Sequence, residues 1–89
     1  MKGKKSSKGK RSLLDEQQWV IKKIGERIKQ LRLEKGYKSY ELFAFENEID
    51  RAQYGRFERG ANMQIASLVK VLKALDVSIE DFFSEGFDE

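Results

Sequence analysis

Two short helical patterns separated by a tight turn occupy residues 40–60, YELFAFENEIDRAQYGRFERG. The first pattern covers about 40–47 and the second about 51–59, and Gly60 closes the second. Each is preceded by a residue that favours a helix N-cap, because its side-chain oxygen can accept a hydrogen bond from a free N–H of the first turn. These caps are Ser39 and Asp50. The small or apolar residues that we expect in one shared core are Phe43, Ala44, Ile49, Tyr54 and Phe57.

Two short helices that share a core across a tight turn are typical of a helix-turn-helix, whose second helix can enter the major groove of DNA. If Tyr54 and Phe57 point inward, the opposite face of the second helix points outward. That face comprises Arg51, Ala52, Gly55, Arg56 and Arg59, and none of these is acidic. Glycine is unfavourable inside a helix, so Gly55 suggests the close approach of another backbone, of DNA or of protein, or else an incidental surface glycine.

The rest of the chain also shows helical periodicity. A first helix is predicted over about 15–35, with Asp15 as its N-cap and Gly36 at its end. The apolar residues expected to face the core are Val20, Ile24, Ile28 and Leu31. The polar face carries Lys22, Lys23, Glu26, Arg27 and Lys29. Further helices are predicted over about 64–75 and over about 79–84, the latter capped by Ser78. No alternating strand pattern of useful length is present. The sequence therefore predicts a compact five-helix, all-α domain.

Composition excludes several classes of site. The chain has 89 residues, which fits one domain, and it contains no cysteine, histidine or proline. Disulfides, thiolate or histidine metal sites and serine–histidine catalysis are therefore excluded. Glu46, Glu48 and Asp50 lie close together in sequence, but they do not make a credible metal site without further ligands. We expect no metal, no cofactor and no enzymatic activity.

Basic and acidic residues are distributed unevenly along the chain. Residues 1–12 contain six lysines or arginines and no acidic residue, whereas residues 13–89 contain 12 basic and 15 acidic residues. We expect a disordered basic tail over 1–12, a helix-turn-helix domain over 13–84 with its motif at 40–59, and an acidic tail over 85–89. The basic tail either improves solubility or acts as an arm that contacts DNA phosphates or the minor groove. No stretch is apolar enough for a signal peptide or a membrane span, so a cytoplasmic protein is expected.

Four fragments occur in order along the chain: IGERIKQLR at 24–32 with Gly36, Phe43-Ala44, FERG at 57–60 and LVKVLKALDVS at 68–78. This ordered set resembles the Cro and phage-repressor (XRE) family of helix-turn-helix regulators, and small Bacteroidetes members in particular. The match covers about 21–83 and implies a lambda-repressor-like fold. Glu48 stands where the family turn commonly has glycine. A positive φ at Glu48 would be strained for glutamate, and the neighbouring Asn47 tolerates the left-handed conformation better.

The resemblance also implies roles for individual residues. Positions that match family base contacts are Tyr40, Arg51, Ala52 and Arg56, and positions that match phosphate contacts are Gln53 and Arg59. Ser39 and Tyr40 would lie near the DNA backbone, although an aromatic residue at 40 could instead pack beside Tyr37. Arg32 and Glu58 match a family ion pair that ties the first helix to the end of the recognition helix.

Three functions follow as hypotheses. The first is a sequence-specific DNA-binding regulator, expected to be a repressor that binds a pseudo-palindromic operator in double-stranded DNA as a homodimer, without a cofactor. The second is a protein-interaction module or an antitoxin-like protein that binds a partner through the same fold. The third, an enzyme, has little support. The outward face of 51–59 carries arginines and no acidic residue, which favours DNA over a protein partner.

Overall fold

The computed structural model describes residues 11–88, which form five helices and no strand. In chain order they are α1 (Leu13–Glu34), α2 (Tyr40–Glu46), α3 (Arg51–Glu58), α4 (Ile65–Leu75) and α5 (Ile79–Phe83). The predicted all-α fold and its five helices are confirmed. Between residues 11 and 88, no helix combines the length and the apolar character needed to cross a membrane.

Side-chain caps set the start of four helices. Ser39, Asp50 and Ser78 each accept a hydrogen bond from a backbone N–H of the following first turn, as the sequence predicts. The predicted cap of α1 is wrong: Ser12, not Asp15, is the N-cap, and its Oγ accepts from the Asp15 N–H at 3.1 Å. The helix therefore begins two residues earlier than expected.

Two residues of the predicted basic tail belong to the structure around α1. Ser12 is the cap of α1, and the Arg11 guanidinium pairs with Glu16 at 2.8 Å and stacks over the Trp19 ring at 4.7 Å. Ordered structure thus extends to Arg11. The predicted disorder of residues 1–10 lies outside the described residues.

One hydrophobic core joins the five helices. All five residues predicted from the helix-turn-helix are buried in it. The core consists of Ile28, Phe43, Ala44, Ile49, Tyr54, Phe57, Leu68, Val71, Leu72, Leu75 and Phe82. The Phe43 ring lies 5.2 Å from the Tyr54 ring, so the two helices of the motif are held together by aromatic packing.

α1 and α3 approach each other closely at Gly25. A Cβ built on Gly25 would overlap the carbonyl oxygen of Phe57 and would lie 2.9 Å from the carbonyl oxygen of Glu58. Only a residue without a side chain allows this contact. The end of α3 therefore packs directly against the backbone of α1.

Arg27 was predicted on the polar face of α1, and this prediction is wrong because Arg27 is buried. Its Nε donates to the Phe82 carbonyl oxygen at 3.0 Å and its Nη2 donates to the Asp81 carbonyl oxygen at 3.2 Å. A cation at the C-terminal end of a helix satisfies free carbonyl groups and suits the helix dipole. Arg27 thereby fastens α5 to α1, and Phe87, from the predicted acidic tail, packs against Phe82 and the core.

Candidate nucleic-acid interface

The second helix of the motif, α3, presents a basic face to solvent. Asp50 caps the helix by accepting from the Gln53 N–H at 2.8 Å, and this fixes the first turn. Tyr54 and Phe57 fill the core on the inner side. The exposed residues on the outer side are Arg51, Ala52, Gln53, Arg56 and Arg59. The arginine side chains are therefore available to a partner, as the sequence predicts.

Gly55 does not belong to this outward face, and its predicted exposure is wrong. It is buried, and a Cβ built on it would lie 2.7 Å from Cε1 and 3.0 Å from Cζ of Tyr40. The close approach that the glycine suggested exists, but a tyrosine ring of the same motif makes it. The spacing of Tyr54 and Phe57 could not reveal this, because the ring comes from the preceding helix.

Tyr40 is only partly exposed, because its ring packs over Gly55 and lies 6.4 Å from the ring of Tyr54. It packs on α3 rather than simply beside Tyr37, which lies 5.1 Å from Phe43 instead. Ser39 holds the first turn of α2 by accepting from the Leu42 N–H at 3.1 Å. The N-terminal ends of α2 and α3 therefore lie side by side, and a surface hollow between them is lined by Tyr40, Glu41, Asp50, Arg51 and Ala52.

The turn between α2 and α3 places a positive φ on Glu48, where the family commonly has glycine, and not on Asn47, where glutamate strain would be avoided. Glu48 has φ 59°, and the following Ile49 turns into the core while its N–H donates to the Ala44 carbonyl oxygen at 2.8 Å. Lys70 of α4 donates to the Glu48 carbonyl oxygen at 2.8 Å. The left-handed backbone at Glu48 is thus held by contacts on both sides.

The predicted pair of Arg32 and Glu58 is present and buried. Arg32 Nε donates to Glu58 Oε2 at 2.8 Å, and Nη2 donates to Oε1 at 3.0 Å, while Nη1 donates to the Tyr37 carbonyl oxygen at 2.7 Å. The hydrogen bonds to Glu58 raise the pKa of Arg32 above its usual value, against the effect of burial. The three hydrogen bonds of the Arg32 guanidinium hold α1, the loop after it and the last turn of α3 in one arrangement.

Tyr54 lies deep beside this pair. Burial raises the pKa of its hydroxyl well above the usual value, and the Glu58 carboxylate raises it further. The neutral phenol is therefore the form that the folded protein holds. Within residues 11–88 its hydroxyl is buried and has no hydrogen-bond partner of good geometry.

Two of the acidic residues near the motif have structural partners inside the protein. Asp50 caps α3, and Glu58 pairs with Arg32. Across the described part of the chain, no group of three or more acidic side chains is arranged to hold a metal ion. One important residue was missed by the sequence analysis: Gly25 supports the end of α3. Its signal was a glycine inside a long helical pattern, which often marks close packing.

Similar structures have the same architecture. The crystal structure of the restriction-modification controller protein C.AhdI from Aeromonas hydrophila matches with a TM-score of 0.64 at 35% identity, over 72% of this chain and 97% of that chain. The wild-type restriction-modification controller protein C.Esp1396I matches with a TM-score of 0.64 at 35% identity, over 82% of this chain and 87% of that one.

Curated relatives agree with these structures. The control protein C.MunI from Mycoplasma sp is 33% identical over 64 residues, which is 71% of this chain and 86% of that protein. The control protein C.BamHI from Bacillus amyloliquefaciens is 36% identical over 59 residues, 65% of this chain and 73% of that protein. Residues 28–82 match the family described as Helix-turn-helix. The chain therefore belongs to the XRE-type helix-turn-helix family of DNA-binding transcriptional regulators.

Proposed function

We propose that this protein reads a specific DNA sequence by inserting α3 into the major groove. The observation that carries the proposal is the exposed basic face of α3, on a body that is otherwise acidic. Arg51 and Arg56 read base edges, because an arginine fork can bond the O6 and N7 atoms of guanine, and Ala52 contacts a thymine methyl group. Each good arginine–guanine pair contributes about 1–3 kcal/mol of discrimination.

Phosphate contacts hold the helix in the groove. Gln53 and Arg59 bind phosphates at the two ends of α3, and Ser39 lies near the DNA backbone at the start of α2. Tyr40 reaches the DNA from its position over α3. Gly55 serves binding indirectly, because its missing side chain makes room for the Tyr40 ring.

Two copies of the chain bind one operator. A helix-turn-helix reads only a few base pairs, so a homodimer on a pseudo-palindrome, with half-sites about one helical turn apart, supplies the remaining specificity. We propose a repressor that acts in the cytoplasm by occupying a promoter, with no enzymatic activity and no cofactor. The similarity to two restriction-modification controller proteins supports a promoter of restriction-modification genes as the target.

A protein-interaction module remains the alternative function. An interaction helix would be expected to expose apolar or acidic side chains, whereas the outer face of α3 exposes arginines, a glutamine and a single alanine methyl. The basic face therefore favours DNA.

Selection from a randomised duplex library tests the proposal. Purified full-length protein should enrich a two-fold symmetric site, and Arg51→Ala should relax the preference at one base pair in each half-site. Arg59→Ala should weaken binding to all sequences about equally. If no sequence is enriched, the protein is not a specific DNA reader and the search moves to a protein partner.

A further inference from the structure

The last turn of α3 lies along one stripe of α1. Gly25 contacts the Phe57 and Glu58 carbonyl groups, Arg32 pairs with Glu58, and a Cβ built on Gly60 would lie 3.8 Å from the Cα of Lys22. Residues 22, 25, 29 and 32 are spaced by three and four, which places them on one side of a helix. Lys22 and Lys29 therefore lie along one edge of the stripe of α1 against which α3 ends.

These two lysines are exposed, and their side chains have no hydrogen bond or ion pair within residues 11–88. Their acidic neighbour on α1, Glu26, is already paired with Lys23 at 3.7 Å. Arg59, at the end of α3, is also exposed, and its side chain has no described partner. Three cations that lie next to the recognition helix are thus available to an anion from outside the protein.

We propose that Lys22 and Lys29 bind phosphate groups of the DNA strand that borders the groove occupied by α3. The proposal rests on the DNA-binding function proposed above and adds α1 to the binding surface. A flexible lysine side chain on a helix beside the recognition helix suits a phosphodiester, because it acts as a point charge and needs no fixed geometry. The contacts carry no sequence information, so they add affinity and leave base preference unchanged.

Salt dependence of binding tests this proposal. Lys22→Gln and Lys29→Gln remove one charge each, and both keep a good helix former at an exposed position. Lys73→Gln is the matched control, because it removes the same charge from the exposed surface of α4. Each full-length variant is titrated with the duplex enriched from the library and with a mixed-sequence duplex of equal length, over a series of salt concentrations.

The expected result is a slope of log affinity against log salt that is smaller by about 0.9 for each lysine replaced. Affinity should fall by the same factor on both duplexes, and Lys73→Gln should match the wild type. Unchanged slopes for Lys22→Gln and Lys29→Gln, with normal wild-type binding, overturn this proposal and leave the proposed function intact. If the wild type binds the mixed-sequence duplex but enriches no site, specific reading fails while the slopes still decide the lysine contacts. A wild type that binds neither duplex overturns both proposals.

Discussion

Gly25 of α1 and Phe57 of α3 touch through their backbones, since the Phe57 carbonyl oxygen occupies the space that a Cβ on Gly25 would need. The contact sets the distance between α1 and the end of α3. A carbonyl oxygen within a helix cannot move aside without disturbing the helix, so this contact leaves little room for adjustment.

Replacement of Gly25 with alanine should therefore destabilise the fold. Helix propensity alone favours alanine by about 1 kcal/mol. Overpacking against backbone should outweigh this gain and give a net loss of about 1–3 kcal/mol. Denaturant unfolding measures the effect, and Gln18→Ala at an exposed position of the same helix serves as control. A Gly25→Ala variant as stable as the wild type would contradict the close contact.

Replacement of Gly55 with alanine should act differently, because the atoms in the way belong to the Tyr40 side chain. The ring can swing outward, so we expect the gain in helix propensity of about 1 kcal/mol to offset the lost packing in part. DNA affinity should fall, since the Tyr40 ring, which we propose contacts DNA, is displaced. A double-mutant cycle with Tyr40→Ala checks this: in the Tyr40→Ala background, Gly55→Ala should stabilise the protein and leave affinity unchanged. Additive effects would show that the two residues are independent.

Removal of Arg32 should weaken DNA binding although this side chain faces the protein interior. Arg32→Ala leaves the Glu58 carboxylate buried and unpaired, which costs about 3–5 kcal/mol of stability. The last turn of α3 should loosen, and affinity for the selected duplex should fall. Arg32→Lys keeps the charge but loses the bidentate hydrogen bonds to Glu58. Its losses of stability and of DNA affinity should therefore be smaller than those of Arg32→Ala. Wild-type affinity in a folded Arg32→Ala variant would refute this role.

Alkaline pH should destabilise the protein through Tyr54. Its pKa is raised in the folded state by burial first and by Glu58 second, and it returns to about 10 on unfolding. The unfolded state thus releases a proton that the folded state keeps. Stability from this group is complete below about pH 10 and falls above it, by up to about 1.4 kcal/mol per pH unit.

Comparison of the wild type with Tyr54→Phe isolates this effect, because phenylalanine has no proton to release. Unfolding free energies between about pH 8 and 11 should decline more steeply for the wild type above the phenol's ordinary pKa. Parallel curves for the two proteins would exclude Tyr54 as the cause.

Replacement of Glu48 with glycine should stabilise the turn. A residue with a side chain at φ 59° is strained by about 1–2 kcal/mol, and glycine removes this strain. Glycine also gives the unfolded chain more conformational freedom, which cancels part of the gain. We expect a net gain of about 0.5–1 kcal/mol. Asn47→Gly is the contrasting change, because φ is −106° there and the Asn47 Nδ2 bond to the Phe43 carbonyl oxygen is lost, so stability should fall. A loss of stability in Glu48→Gly would mean that the glutamate side chain has a role in the turn.

The helices of this protein were predictable because their signals act over short distances in the chain. Ser39, Asp50 and Ser78 cap helices through bonds to residues three positions away. The apolar spacing of Phe43, Ala44, Tyr54 and Phe57 likewise marks buried faces within single helices. The pair of Arg32 and Glu58 spans 26 positions and was predicted only through resemblance to a family.

The exposed basic face of α3 was also largely predictable, since Arg51, Arg56 and Arg59 lie opposite its buried residues. Gly55 shows the limit of that reasoning. Helical spacing places it on the outer face, but the Tyr40 ring covers it, and the position of that ring depends on the angle between α2 and α3.

Burial of Arg27 and the close contact at Gly25 were likewise settled only by tertiary structure. Arg27 has the spacing of a solvent-facing residue, yet it bonds carbonyl groups more than 50 positions away. Local patterns determine where a helix starts, ends and turns its apolar side, because caps and periodicity involve neighbours in the chain. Which polar residue is buried, and which glycine touches another backbone, depends on how distant helices pack, and that information is not contained in any one segment.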